Sequence, residues 1–415
     1  MGKLKAFEIV FDRSKTVFYP GQEVSGKCLV DLSGDMKMKS LRVFMRGVAK
    51  VHWTESRSTG NRLGAYTEHY NAEIEYFFKK QVLFGGDAGD GREVLTEGHH
   101  EFPFSFELPS GGISTSFEGK YGSIRYWLKA EVEKPWAFNH KTKKAFTVIS
   151  PININRTEYV MAVENSIEKT LCCFCCTSGP ISLYAHTDRK GYCPGESIAI
   201  TADFENLSSR TIIPHATLHQ TQTFVAGGKS RSRISKFTIV TGLAIQPGRT
   251  ANWDAQLLKI PAVSPSIINS CLIRVDYAVR LTLQIPGAYN LSVDLPVVIG
   301  TVPLRTRPSN YTTLFSNVED LSVPNESVLA YYPPAPPYSE VEISSIPEEP
   351  PPTYAECVEG SVDITDDDDD GDIMGETRFT PMYAYVHDYQ YQPPPAYSEV
   401  DPHPAPVAEG GSGQG

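Results

Sequence analysis

Long apolar runs are missing from this sequence. No stretch approaches the roughly 18 consecutive apolar residues that a membrane-spanning helix needs. The opening residues, MGKLKAFEIV, lack the apolar segment and the small-residue cleavage site of a signal peptide. Ala6 also stands where N-myristoylation requires Ser or Thr. We therefore expect a cytosolic protein whose eight cysteines are reduced.

The motifs that identify common enzyme sites are absent as well. There is no phosphate-binding loop, no H-E-x-x-H zinc motif and no dinucleotide-binding glycine pattern. The segment GESIA, which begins at Gly195, fails the serine-hydrolase pattern because Ala199 replaces its last glycine. His99 and His100 have no third ligand at metal spacing, so we interpret them as part of a solvated strand edge. We expect no enzymatic activity, no metal, no cofactor and no nucleic-acid partner.

Lysine is absent from residues 303–415. This region holds 18 of the 31 prolines and 21 of the 49 acidic residues, against three arginines. Low hydrophobicity, high net charge and many prolines predict a tail without fixed structure in the absence of a partner. The five consecutive aspartates, Asp366 through Asp370, are interpreted as a solvating run. Residues 1–302 are net basic by contrast, so a basic body precedes an acidic tail.

Alternating polar and apolar residues dominate the body. The segments GKCLVDL, KSLRVFMRGVAKVHW, HEFPFSFEL and SIRYWLKAEV are rich in β-branched and aromatic residues with a period near two. Gly, Pro, Asn and Asp clusters separate them, and no sustained helical period is present. Many short strands at regular spacing predict an all-β sandwich.

The sandwich pattern occurs twice. VFYPGQEVSGKCLVDL near the start resembles KGYCPGESIAITADF in the second half, and SIRYWLKAEV is followed later by IRVDYAVRL in the corresponding order. A period of that length indicates a duplicated domain rather than a short repeat. The segment SPININRTEYVMAVENSIEKT breaks the alternation, so we place the domain boundary between Ser150 and Pro180.

Several motifs resemble the α-arrestins of the arrestin clan, most closely the arrestin domain-containing members 2, 3 and 4. They include TSFEGKYGSIRYWLKAEVEKPW, RKGYCPGESI, ADFENLSSR and VDLPVVIG, in the family's order and over nearly the whole chain. The resemblance implies two immunoglobulin-like β-sandwiches in tandem, residues 1–155 and 156–302, followed by a disordered Pro-rich acidic tail at 303–415. It also implies a trafficking adaptor at the plasma membrane and endosomes, with receptors or transporters as cargo.

Two Pro-Pro-x-Tyr motifs lie in the tail. Their defining residues are Pro351, Pro352 and Tyr354 in the first motif, and Pro394, Pro395 and Tyr397 in the second. Adjacent prolines favour the polyproline II conformation, so little entropy is lost when such a segment docks into the aromatic groove of a WW domain. A flexible linker with incidental tyrosines is the alternative. The α-arrestin resemblance implies that the WW domains belong to HECT-type ubiquitin ligases.

A third stretch is close to the same motif. Pro336, Pro337 and Tyr338 follow Ala335, which stands where the pattern would continue with proline, so we expect weaker WW binding there. Tyr338 and Tyr397 also begin Tyr-Ser-Glu-Val, which fits a tyrosine-based endocytic signal. An alternative function is therefore a ligase-independent endosomal sorting scaffold that binds clathrin adaptors.

Four cysteines cluster in CCFCC: Cys172, Cys173, Cys175 and Cys176. A structural zinc site normally needs four ligands that converge from two places, and no second C-x-x-C is present. Packing as small apolar residues is the simplest interpretation, and reversible palmitoylation at the domain junction is an alternative.

Two basic stretches of the body are predicted to be hairpin loops. They contain Lys141, Lys143 and Lys144 in HKTKKAF, and Lys229, Arg231, Arg233 and Lys236 in GGKSRSRISKF. Ordinary solvated loops are one interpretation. The functional interpretation is contact with anionic lipid or with a phosphorylated cargo tail. The acidic tail could fold back onto these basic stretches and compete with such ligands.

One departure from the family pattern concerns thioredoxin. The family member that binds thioredoxin does so through a cysteine three residues before a Trp in this region. Thr250 holds that position here, three residues before Trp253. A hydroxyl cannot form a mixed disulfide, so we do not expect thioredoxin as a partner.

Overall fold

The computed structural model describes residues 4–58, 65–86, 93–135, 138–173, 176–305, 353–358, 360–365, 373–375 and 377–386. Within these ranges the chain is built from β-strands. The helical segments described are one 3-10 turn, Asp12–Ser14, and one α-helical turn, Thr157–Val160. The prediction of an all-β protein with two sandwiches in tandem is confirmed.

Eleven strands form the N-terminal sandwich. They are β1 Leu4–Phe11, β2 Val17–Phe18, β3 Glu23–Leu32, β4 Met36–Met38, β5 Ser40–Ser58, β6 Ala65–Gly85, β7 Glu93–Leu95, β8 Gly98–Glu107, β9 Phe117–Gly119, β10 Gly122–Glu133 and β11 His140–Val148. One sheet has the order β1-β3-β8, and the other has the order β2-β11-β10-β5-β6, with β9 attached to β10. A separate pair joins β4 and β7.

The core of this sandwich follows from the period-two pattern. Along β3 every second side chain is buried, which directs one face of the strand at the opposite sheet. Phe11 on β1 meets Phe18 and Phe146 of the other sheet, with ring centroids 5.4 to 5.9 Å apart. Edge-to-face contacts of this kind contribute about 0.5–1.5 kcal/mol beyond the area that they bury.

Nine strands form the second sandwich. They are β12 Val163–Cys173, β13 Cys176–Thr187, β14 Gly191–Tyr192, β15 Ser197–Asn206, β16 Ile213–Ala226, β17 Lys229–Thr241, β18 Arg249–Lys259, β19 Ile273–Gln284 and β20 Leu291–Ile299. The sheets have the orders β12-β13-β15-β18 and β14-β20-β19-β16-β17.

The two sandwiches share one strand plan. The order β1-β3-β8 corresponds to β13-β15-β18, and β2-β11-β10-β5-β6 corresponds to β14-β20-β19-β16-β17. In each half a two-residue strand runs parallel to its neighbour, β2 beside β11 and β14 beside β20. The repeated sequence segments fall on β3 and β15, and on β10 and β19, at equivalent places in this plan.

Strand β12 lies where the sequence predicted a break between domains. It occupies the edge of its sheet and pairs with β13. Most of its side chains are exposed, including Ile167, so no buried face imposes an alternating pattern. Sequence periodicity reports burial, and it therefore missed a strand that buries little.

The sandwiches meet through aromatic side chains. Phe224 on β16 is fully buried and lies between Phe117 and Tyr121 of the N-terminal half, with ring centroids 6.5 and 5.7 Å away. Buried apolar residues form one continuous cluster that includes both sandwiches. The backbone adds a bridge between Asn153 and Val302.

Four stretches of the tail are described, and we call them the tail layer: residues 353–358, 360–365, 373–375 and 377–386. They form five short strands, β21 Tyr354–Glu356, β22 Val362–Asp363, β23 Ile373–Met374, β24 Arg378–Phe379 and β25 Met382–Ala384. Strand β21 pairs with β25, β22 pairs with β24, and β23 runs parallel to β11 of the body. The sequence predicted a tail without fixed structure, and these stretches differ because local apolar residues pack on the body.

Candidate partner-binding surfaces

The first Pro-Pro-x-Tyr motif reaches into the tail layer. Tyr354 begins β21 and lies opposite Ala384, and the Tyr385 N–H donates to the Thr353 carbonyl oxygen at 2.8 Å. The hydroxyl of Tyr354 is 3.1 Å from that of Tyr19 in the body. Both the backbone and the side chain of this tyrosine are therefore engaged within the same molecule.

Burial at this contact changes the ionisation of Tyr19. Desolvation raises the pKa of the Tyr19 hydroxyl, and its hydrogen bond with Tyr354 raises that pKa further. Both hydroxyls remain neutral at physiological pH, so each can donate or accept. The pair is a neutral polar contact in a half-buried position.

The tail layer is bonded to both sandwiches. In the N-terminal half, the Tyr383 hydroxyl donates to the Ser116 carbonyl at 3.0 Å, and the Met382 N–H donates to Thr147 Oγ1 at 3.1 Å. In the second half, the Val358 N–H donates to the Ala262 carbonyl at 3.0 Å, and the Val386 N–H donates to the Pro194 carbonyl at 2.9 Å. The layer thus lies across the two domains.

Apolar side chains support these bonds. Ile364, Phe379 and Tyr383 are buried, and Cys357 is buried beside the motif. Gly195 of the body has a φ of +93° and lies directly against the Val386 carbonyl, in space that any Cβ at this position would occupy. The turn Pro194-Gly195 therefore accepts the end of the layer at close range.

A buried ion pair holds this turn from below. Arg189 Nη2 lies 3.1 Å from Glu196 Oε2, and the same carboxylate oxygen accepts the Cys193 N–H at 2.9 Å. Burial raises the pKa of Glu196, and the charge of Arg189 opposes that rise. The sequence pattern around Gly195 excluded a hydrolase but did not indicate that this turn meets the tail.

The first basic stretch is a strand and not the predicted loop. Lys141, Lys143 and Lys144 lie on β11, and the outer edge of this strand is paired with β2 and β23. Lys143 is only 3% exposed, and it donates to the Ile364 carbonyl of the tail layer at 2.7 Å. Its ammonium lies 4.6 Å from the centre of the Trp127 ring. The tail layer therefore covers the central lysine of this stretch, while Lys144 lies over Phe11.

The second basic stretch is also a strand. Gly227 and Gly228, both with positive φ, form the two-residue turn that starts β17. Lys229 bonds the Tyr70 hydroxyl and lies 3.8 Å from Glu55. Loop geometry was predicted because clustered charge and glycine resemble a turn, whereas here the turn is confined to the two glycines.

Arg231 also points across the domain interface. Its guanidinium lies 4.4 Å from the centre of the Tyr121 ring and donates to the Thr54 carbonyl at 3.2 Å. Arg233 and Lys236, farther along β17, are exposed. The structure thus divides the stretch into an interface pair, Lys229 and Arg231, and two exposed cations.

The cysteine cluster forms the end of a hairpin. Cys172 pairs with Thr177 and Cys173 with Cys176, at the end of the β12–β13 ladder remote from Val163. The domain junction lies near Val163, so the cluster is not at the junction as predicted. The reason is that β12 extends the sheet by eleven residues before the chain reverses. Cys175 lies outside the described residues.

Most other tail residues predicted as binding residues lie outside the described residues. These are Pro351 and Pro352 of the first motif, Pro394, Pro395 and Tyr397 of the second, and Pro336, Pro337 and Tyr338 of the third. The structure adds residues that sequence patterns had not indicated, namely Tyr19, Ser116, Thr147 and Tyr383. They carry no motif, because their role depends on contacts between residues far apart in the chain.

Two searches of the described residues bear on other kinds of site. No group of three or more His, Cys, Asp or Glu side chains in this part of the chain has metal-binding geometry. His99 does meet Asp31, with Nδ1 and Oδ1 2.6 Å apart, through cross-strand pairing that the sequence did not reveal. Within the same ranges, no helix has the length and apolar character to cross a membrane.

Comparison with protein families gives two matches. The arrestin (or S-antigen) N-terminal domain matches residues 7–155, and the arrestin (or S-antigen) C-terminal domain matches residues 177–304. These ranges cover the two sandwiches described above.

Full-length relatives agree with these domain matches. Arrestin domain-containing protein 4 is 38% identical in Homo sapiens and 36% identical in Mus musculus, in each case over 98% of this chain and 95% of the relative. Thioredoxin-interacting protein of Homo sapiens is 32% identical over 96% of this chain and 97% of the relative.

Proposed function

The chain belongs to the arrestin family, and within it to the α-arrestins; from that premise we propose that it links WW-domain HECT-type ubiquitin ligases to membrane receptors or transporters. Proteins of this family are non-enzymatic adaptors, so its activity consists of binding. In this proposal the body recognises the cargo and the tail binds the ligase. Cargo ubiquitination, endocytosis and endosomal sorting would follow.

The observation that carries the proposal is the pair of Pro-Pro-x-Tyr motifs in a tail without lysine. Each motif supplies a polyproline segment and a tyrosine for a WW domain. A ligase bound there finds no lysine in residues 303–415, so its acceptors must lie in the body or in a bound cargo. This arrangement favours transfer of ubiquitin to another molecule.

The spacing of the motifs supports a bivalent mode of binding. Tyr354 and Tyr397 are 43 positions apart in the sequence. A flexible segment of that length has an end-to-end distance of roughly 35–40 Å. Two WW domains of one ligase could be reached over that distance, and the second contact would then be intramolecular. Avidity of this kind raises affinity by roughly 100-fold without a new contact.

The test uses the full chain and two ligase fragments, an isolated WW domain and a tandem pair. Calorimetry compares the native chain with Pro351→Ala/Pro352→Ala and with Pro394→Ala/Pro395→Ala. We expect each double substitution to weaken binding to the tandem fragment by roughly 100-fold and binding to the single domain only a few-fold. Equal losses with both fragments would show that the motifs act independently, and no binding by the native chain would refute the proposal.

Tyrosine-based sorting is the second candidate function. Tyr338 and Tyr397 both begin Tyr-Ser-Glu-Val, a sequence that a clathrin adaptor could bind without any ligase. The proline substitutions separate the two functions, because they remove the WW ligand and leave each tyrosine and valine in place. Cargo uptake that persists in the proline variants, with the ligase no longer bound, would favour the sorting scaffold.

The remaining surfaces extend the same proposal. Arg233 and Lys236 are exposed on β17, and with Lys141 and Lys144 they are our proposed contacts for anionic lipid or phosphorylated cargo. Palmitoylation of the hairpin end at Cys172, Cys173, Cys175 or Cys176 would hold the protein at a membrane surface. Thr250 is exposed on β18 and offers no thiol, so thioredoxin is not among the proposed partners.

A further inference from the structure

The first Pro-Pro-x-Tyr motif has two mutually exclusive uses in this structure. We propose that docking of the tail layer on the body closes Tyr354 to WW domains, so that this motif becomes a ligand only when the layer is released. The inference rests on the proposed WW-domain function and adds a control to it. It concerns the first motif alone.

The first argument is conformational. A WW domain binds its ligand in the polyproline II conformation, with the backbone of the motif free to enter the groove. Thr353 and Tyr354, the last two residues of the motif, are instead tied to the β25 segment through the Tyr385 N–H and the Tyr354–Ala384 pairing. Binding of a WW domain must therefore break the β21–β25 ladder.

The second argument concerns the tyrosine side chain. A WW domain takes the ring of this tyrosine into a pocket, whereas here the Tyr354 hydroxyl meets the Tyr19 hydroxyl at 3.1 Å. Tyr19 is fixed beside Phe18, whose ring lies in the aromatic core of the first sandwich. The ring of Tyr354 cannot lie against the body and inside a WW pocket at the same time.

The third argument is that the closed arrangement is anchored well beyond the motif. The buried Tyr383 side chain bonds Ser116, Lys143 bonds the Ile364 carbonyl, and the Val386 N–H bonds Pro194 in the other sandwich. Strand β23 also extends the edge of β11 through pairing with Lys141 and Thr142. Exposed sheet edges accept extended segments, and here the acceptor is filled by the protein's own tail.

These contacts set the direction of the coupling. When a ligand binds only the released form, its apparent Kd equals the intrinsic Kd divided by the released fraction. A docked form that is ten times as populated as the released form thus weakens binding about ten-fold. By linkage, a WW domain bound at Tyr354 releases the layer to the same extent and uncovers Lys143.

The experiment isolates the first motif in the full chain. Pro394→Ala/Pro395→Ala together with Tyr338→Ala removes the other candidate ligands, and a single WW domain is titrated by calorimetry. Tyr383→Ala is then added, because it removes the buried anchor in the tail and leaves every body residue unchanged. Ser361→Ala, an exposed position in the same layer, is the matched control.

We expect Tyr383→Ala to tighten WW binding about ten-fold and Ser361→Ala to leave it unchanged. Equal affinity in all three proteins would overturn the inference while the proposed function stood. The reciprocal variant, Pro351→Ala/Pro352→Ala with the second motif intact, separates the two. If neither motif binds a WW domain in any of these proteins, the proposed function fails and this inference fails with it.

Cys357 supplies a second measurement that needs no ligase. Its side chain is 8% exposed and follows the motif by three residues, so its alkylation reports release of the layer. Cys28 is fully buried in the body and its pKa is raised to about 12 by burial, which makes it the unreactive reference. Exposed Cys271 is the fast reference.

Peptide-resolved mass spectrometry follows the rate at each cysteine. We expect slow modification of Cys357 in the native chain, and faster modification after Tyr383→Ala or on addition of a saturating WW domain. Cys28 stays unmodified in every sample if the body remains folded. Modification of Cys357 at the rate of Cys271 in the native chain would show that the layer is not docked and would overturn the inference.

Discussion

Strands β11 and β17 carry similar basic sequences and use them differently. On β11 the tail layer covers Lys143, through one hydrogen bond to the Ile364 carbonyl. On β17 the N-terminal sandwich takes Lys229 and Arg231, through contacts with Tyr70, Tyr121 and Thr54. The first surface is closed by a short segment of the same chain, and the second is part of the joint between two domains.

The difference shows that a basic strand is not by itself a ligand site. A cation is available to lipid or phosphate only when no other part of the molecule has already bonded it. On β17 the covering group is a whole domain with a continuous core, so exposure would require separation of the sandwiches. On β11 the covering group is a layer of short strands, which can be released while the body stays folded.

The largest effect is expected from breaking the β17 side at its apolar centre. Phe224 lies on β16 directly opposite Arg231 and is fully buried among aromatic residues of the other sandwich. Phe224→Ala should lower the free energy of unfolding by about 3–5 kcal/mol, because it removes a buried aromatic ring and leaves a cavity. Urea denaturation measures the change.

Ile239→Ala, at an exposed position of β17, is the control and should change stability by less than about 0.5 kcal/mol. Similar losses for the two substitutions would mean that the domains do not meet at Phe224. That result would also remove the contrast between a permanent and a releasable cover.

A smaller effect is expected from the cations of β17 themselves. Arg231→Ala removes the contact with the Tyr121 ring and the bond to Thr54, and should cost about 1 kcal/mol of unfolding free energy. Arg233→Ala, two residues farther along the strand, should be neutral within about 0.5 kcal/mol because its side chain is exposed. The pair is compared by thermal unfolding, and equal stabilities would assign both arginines to solvent.

The smallest effect on the body is expected at β11. Lys143→Met keeps the apolar stem over Trp127 and removes the charge that bonds the Ile364 carbonyl. Hydrogen exchange at the amides of Val358, Met382 and Val386, which bond the body, should become a few-fold faster while exchange in the core stays unchanged. Lys144→Met is the control, since its ammonium lies over Phe11 within the body. Unchanged exchange after Lys143→Met would show that this lysine does not hold the layer.

Much of the fold could be predicted because burial leaves a period-two trace. Strands β3, β10, β15 and β19 each turn one face to a core, and the repeated segments identified them as equivalent. Strand β12 and the strand character of the two basic stretches were missed. Their side chains are exposed or are covered by residues distant in sequence, so the local pattern contains no sign of burial.

Less of the candidate site could be predicted. The proline and tyrosine motifs are local, and reading them needs no structure. The partner of Tyr354 is Tyr19, more than 300 residues away, and neither residue indicates the other in the sequence. Cys357 was likewise one of eight cysteines until its burial beside the motif distinguished it.

The sequence by itself determined the class of fold, the duplication, the contrast between a basic body and an acidic tail, and the presence of two motifs. These depend on composition and on short-range order, which the chain carries whether or not it is folded. Only the tertiary structure decided which cations are covered, where the cysteine hairpin ends, and that Tyr354 lies against the body. Such contacts join residues with no sequence relation, and their energies depend on the burial and geometry that folding creates.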